Sequence, residues 1–63
     1  SDLKDELYNI ITQVLNEEAK AVKDAKLKPE IVNFLVGKVM QKTRGKADPE
    51  LTLSLLKKSL GFD

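Results

Sequence analysis

The chain has 63 residues, 11 of them Lys or Arg and 10 Asp or Glu, with no Cys and no His. A chain this short buries only about 60% of the surface its unfolded form exposes, so it makes one domain with a thin stability margin. Disulfides are ruled out, the usual zinc ligands, general base and pH switch are missing, and no run of about 20 apolar residues offers a membrane span.

The N-terminus, Ser1-Asp2-Leu3-Lys4-Asp5-Glu6, is acidic and lacks the apolar core of a signal peptide, so a cytoplasmic protein is expected. Leu3, Leu7, Ile10, Ile11, Val14 and Leu15 then recur at spacings of three and four, which places them on one face of a helix. Ser1 or Asp2 can cap this helix, and Asp5 and Glu6 sit in the first turn, where the dipole favours acids. Glu18 would project from the apolar face, so the first helix is expected over about 2–17. Residues 19–28 read as a connector that holds at most one short helical turn.

Pro29 suits the first position of a second helix, over about 29–44, with Leu27 and Val32 placed to form a hydrophobic staple. Gly45 is expected at C′, because it takes positive φ without strain. Ile31, Val32, Leu35, Val36, Val39, Met40 and Thr43 cover a wide apolar arc, so this helix should touch both others. Asp48 as N-cap and Pro49 at N1 open a third helix, over about 49–60, which Gly61 stops. Its arc holds Leu51, Leu53, Leu55, Leu56 and Leu60, and small Thr52 and Ser59 would allow close helix approach. No segment alternates with period two. The expected fold is all-α, a compact three-helix bundle formed by one domain, 1–63.

No enzyme constellation emerges. Ser54 and Ser59 lack a histidine to activate them, and the acidic pairs Asp5–Glu6 and Glu17–Glu18 point to different helix faces. No catalytic residue and no metal site is therefore expected in this chain.

Charge is distributed more unevenly than the total suggests. Residues 1–30 carry five Lys and seven acids, whereas residues 31–63 carry five Lys, Arg44 and three acids. Lys38, Lys42, Arg44 and Lys46 fall within nine residues. Lys38 and Lys42 share a helix face, and Arg44 and Lys46 flank a turn. Such a group suits a nucleic-acid backbone, although cations in a last helical turn are favoured by the dipole whether or not anything binds. Lys57 and Lys58 are weaker candidates at another helix end. Asp48 and Pro49 make the N-terminus of the third helix a poor phosphate site, by negative charge and a missing N–H.

Phe34 falls outside the apolar arc, between Gln41 and Lys38. It could stack on a base or ribose, but an aromatic so placed is more often covered by a connector or by the first helix. Gly37, near the same side, costs about 1 kcal/mol against Ala in mid-helix, which suggests close approach of another element. Tyr8, at the edge of the first helix's apolar face, reads as packing.

The run Asn33-Phe34-Leu35-Val36-Gly37-Lys38-Val39-Met40-Gln41-Lys42-Thr43-Arg44-Gly45-Lys46-Ala47-Asp48-Pro49, followed by Leu51-Thr52-Leu53-Ser54-Leu55-Leu56, closely resembles the C-terminal tail (GatB/YqeY-type) domain of the aspartyl/glutamyl-tRNA amidotransferase B subunit. That family's pattern reads roughly F-L-V-G-Q-V-M-K-x-T-(K/R)-G-K-A-N-P, then a helix ending in L-L. Residues Val14 to Asp24 match more weakly. The chain departs where the family often has Asn-Pro (here Glu18-Ala19) and a Tyr and Gly-Lys in the connector (here Ala25 and Leu27-Lys28-Pro29). Lys38 replaces a common Gln, and Asp48 a common Asn. The B subunit, the related archaeal E subunit and a free-standing YqeY-like protein all share this type of tail.

The resemblance implies an excised tail domain of a larger protein, with Ser1 left by the excision. The parent would be a carbon–nitrogen ligase of protein biosynthesis, converting Glu-tRNA(Gln) or Asp-tRNA(Asn) to Gln-tRNA(Gln) or Asn-tRNA(Asn). It would use ATP, magnesium and ammonia from a glutaminase subunit, at a site in a domain absent here. The tail would touch the tRNA body through Lys38, Lys42, Arg44 and Lys46, with Phe34, Gln41, Lys57 and Lys58 as weaker candidates. Expected partners are tRNA and the other domains and subunits of the enzyme. No cofactor in this chain, no membrane, no DNA and a monomeric state are expected. The alternative is a docking module, of the same enzyme or of a YqeY-like protein, recognisable by an exposed apolar patch and salt-insensitive contact.

Overall fold

A computed structural model of the chain describes residues 3–62, apart from the side chain of Leu3. Four helices follow one another: α1 (Leu3–Glu17), α2 (Ala19–Leu27), α3 (Ile31–Lys42) and α4 (Pro49–Ser59). The class is all-α as expected, but the three-helix count is overturned, because residues 19–27 form a helix and not a connector. Its Ala-rich, Lys-rich composition has high helix propensity, and Ala25 is fully buried with Ala21 and Val22 packed beside it. Small side chains give a faint periodic signal. A nine-residue helix is marginal alone, and α2 is held by docking on α3 and α1.

α1 ends at Glu17, as the position of Glu18 suggests. Glu18 alone separates it from α2, at φ −108° and ψ 45°, while its N–H donates to the Val14 carbonyl at 2.8 Å. The proposed Ser1 or Asp2 cap, and the Leu3 side chain in the apolar stripe, lie outside the described residues.

α3 is shorter at both ends than 29–44. No Ser, Thr, Asp or Asn stands at its entry, and Glu30 makes no side-chain cap. The chain winds in instead through three-residue turns, with the N–H groups of Ile31, Val32 and Asn33 donating to Lys28, Pro29 and Glu30. Leu27 does not staple this end, being 85% exposed. α3 contacts all three other helices, whereas α2 and α4 make no contact with each other.

The core joins Leu7, Ile11 and Val14 of α1, Ala25 of α2, Val32, Leu35 and Val39 of α3, and Leu55, Leu56 and Leu60 at α4. Leu51 and Ser59, expected within the arc of the last helix, are exposed, and Tyr8 is 43% exposed. No described helix is long and apolar enough to cross a membrane.

Asp48 caps α4 as expected, its Oδ1 accepting from the Glu50 N–H at 2.9 Å ahead of Pro49. At the other end Gly61 takes φ +82°, and the Gly61 and Phe62 N–H groups donate to Lys58 and Lys57. These are the two bonds of a Schellman turn. Thr52 is fully buried, and its hydroxyl has no hydrogen-bond partner among the described residues. An unpaired buried hydroxyl costs about 1–3 kcal/mol. The near-isosteric Thr52→Val is therefore expected to raise the melting temperature by about 4–8 °C per kcal/mol recovered. A lower melting temperature would mean that the hydroxyl is paired in solution.

Candidate functional site

The basic stretch spans the second half of α3 and the turn into α4. The helix ends in a Schellman turn, the Gly45 N–H donating to Met40 O at 2.9 Å and the Arg44 N–H to Gln41 O at 3.2 Å. The left-handed C′ residue is Arg44, with φ 55°, and Gly45 follows at φ 76°. Gly45 was the expected C′, so the left-handed turn begins one residue earlier, on a side chain that such backbone disfavours. Thr43 ties the turn together. Its hydroxyl donates to Met40 O and accepts from the Ala47 N–H, both at 3.3 Å, and the Lys46 N–H donates to the Thr43 carbonyl at 3.1 Å.

The four candidate cations occupy different settings. Lys42 Nζ lies 2.9 Å from Glu17 Oε1, which bridges α3 to the end of α1. The hydrogen bond from Lys42 holds the Glu17 carboxyl below its ordinary range, aided by the positive charges of Lys42 and Lys38 and by Gln13 Nε2 at 3.3 Å. Lys38 Nζ stands 5.3 Å from the centroid of the Phe34 ring, within cation–π distance. Arg44 and Lys46 are exposed on the turn, without an ion pair among the described residues. Lys42 is thus the most neutralised of the four, a feature invisible in the sequence because Glu17 is 25 positions away.

Phe34 is 48% exposed, so the full covering expected there does not occur. Gly37 faces open space, and an added Cβ would meet nothing within 4 Å, so the close approach expected there does not occur within the domain. Gln41 is exposed one turn further on. Lys57 and Lys58 are exposed in the last turn of α4, about 12 Å along the helix from Pro49 at 1.5 Å per residue.

A shallow depression of about 630 Å³ adjoins the same turn, where the start of α1 meets it beside Thr43 and Lys46. Leu7, Ile10, Ala47 and Leu51 supply its apolar floor, and Lys4, Glu6, Lys46 and Asp48 rim it. Sequence reasoning missed it, because it forms between segments some 40 positions apart.

The chain is similar to known proteins over nearly its whole length. A family model described as "GatB domain" matches residues 2–60. The aspartyl/glutamyl-tRNA(Asn/Gln) amidotransferase B subunit of Saccharolobus solfataricus is 52% identical over 64 residues, covering 98% of this chain and 14% of the relative. The protein of the same name in Sulfurisphaera tokodaii is 54% identical over 62 residues, 95% of this chain and 13% of the relative. That of Thermoanaerobacter sp. is 48% identical over 58 residues, 90% of this chain and 12% of the relative. The chain therefore spans about one seventh of the length of the first two of these relatives. No solved structure matches it.

Proposed function

The chain belongs to the GatB/YqeY domain family, and from that premise we propose that it is a tRNA-binding accessory domain of a tRNA-dependent amidotransferase. In this reading it contacts the tRNA body, and the remainder of a longer protein carries the ATP- and magnesium-dependent chemistry. The domain contributes affinity and orientation and no reacting group. Other subunits of the amidotransferase are its protein partners.

The observation that carries this reading is the turn after α3. Arg44 and Lys46 stand exposed, without acidic partners among the described residues, on a backbone already fixed by the Schellman bonds and the Thr43 hydroxyl. Phosphate contact there needs little further ordering of the backbone, and phosphates supply most of a nucleic-acid affinity. The names of the relatives agree with a tRNA ligand.

The test is an amide chemical-shift titration of the labelled domain with tRNA(Gln) at low and moderate salt. Shifts are expected to cluster on residues 38–46 and to weaken as salt rises, because the released counterions are those of the phosphates. A docking role is the second reading, favoured by the apolar depression beside Leu51. Shifts that ignored tRNA at both salts, but gathered around Leu7, Ile10 and Leu51 on adding the rest of the enzyme, would replace the first reading with that one.

A further inference from the structure

The outward face of α3 holds an aromatic ring, a bare backbone and an amide in succession, at Phe34, Gly37 and Gln41. These positions are three and four residues apart and so stack along one side of the helix. Gly37 is helical, so it needs no special backbone angle, and nothing inside the domain would meet its Cβ. Helix stability would favour Ala at this position. The absent side chain therefore serves no packing within the domain and leaves room for something outside it. Phe34, one turn before, is half exposed, and Lys38 sits over its ring.

We infer that this face seats one unpaired nucleotide of the tRNA, its base against Phe34 and its ribose-phosphate passing over Gly37. The inference rests on the tRNA reading above and extends it from the turn to the helix face. Stacking on an aromatic side chain is how unpaired bases are held, and bare backbone lets a ribose come close. Lys38, Lys42 and Arg44 border the face, so its charge suits a phosphate on either side of that nucleotide. Asn33 and Gln41, both exposed, offer donors and acceptors to a base edge or a 2′-hydroxyl. A protein partner suits the face less well. Phe34 is the one large exposed hydrophobic of α3 among the described residues, and the others, Tyr8, Leu27 and Leu51, belong to other helices.

Two substitutions test this by fluorescence anisotropy with tRNA(Gln). Gly37→Ala is expected to raise the melting temperature by about 4–8 °C and to weaken tRNA binding about tenfold. Phe34→Leu keeps apolar bulk, removes the ring and should weaken binding about tenfold. Neither removes a cation, so both should leave the salt dependence of binding unchanged, which sets them apart from Lys and Arg variants. If Gly37→Ala and Phe34→Leu bound like the parent chain while the Lys42, Arg44 and Lys46 variant bound weakly, the nucleotide seat would be overturned and the tRNA reading would stand. If the parent chain failed to bind tRNA at low salt, both would fall.

Discussion

Leu35→Ala is expected to abolish most of the stability of this domain. Leu35 is fully buried at the centre of α3, the helix that contacts all three others. Truncating a buried Leu to Ala costs about 2–5 kcal/mol, as lost transfer energy plus a cavity. At about 0.05–0.15 kcal/mol per residue, a chain of this length holds only about 3–9 kcal/mol in all. No disulfide or second domain within the chain compensates. Circular dichroism should show either no cooperative melt or a melting temperature far below the parent's. An unchanged melting temperature would mean that α3 is not the central element.

The second large effect concerns binding. Replacing Lys42, Arg44 and Lys46 together by Ala is expected to weaken tRNA binding about a hundredfold at low salt, since three hydrogen-bonded pairs at about 1 kcal/mol each amount to some two decades. The plot of log affinity against log salt should flatten by about 0.7–0.9 for each phosphate that is no longer neutralised. The helices should survive, because all three residues are exposed and an exposed ion pair such as Lys42–Glu17 contributes little. Among the single variants, Lys42→Ala should lose least, because Glu17 already neutralises that ammonium, and Arg44→Ala and Lys46→Ala should lose more. Undiminished binding by the triple variant would end the phosphate reading.

Lys42 and Glu17 also show why a count of cations overstates a patch. The stretch from residue 38 to 46 reads as four equivalent charges. In the fold, one is held by a carboxylate from α1, one lies over an aromatic ring, and two stand on a turn. The backbone at Arg44 is left-handed. Glycine is favoured there, so Arg44 carries a modest backbone strain that a count of charges does not register.

Local chemistry determined a good part of this protein without tertiary help. The Asp48-Pro49 start of α4, the Gly61 stop, the end of α1 at Glu17 and the core positions Leu35, Val39, Leu55 and Leu56 follow from capping, backbone freedom and helical period, all of which act within a turn or two. The family, too, is legible in the run from Asn33 to Pro49. Only the tertiary structure decided the rest. α2 depends on Ala25 being buried against neighbours, and three alanines carry almost no hydrophobic signal of their own. Phe34 and Gly37 were expected to be covered, yet Phe34 is half exposed and Gly37 faces open space, because whether a flank is covered depends on where the neighbouring helices lie. The pairing of Lys42 with Glu17 and the depression beside Leu51 arise between segments far apart in the chain. Periodicity reports which face of a helix is apolar, and only packing settles which of the remaining faces is left for a partner.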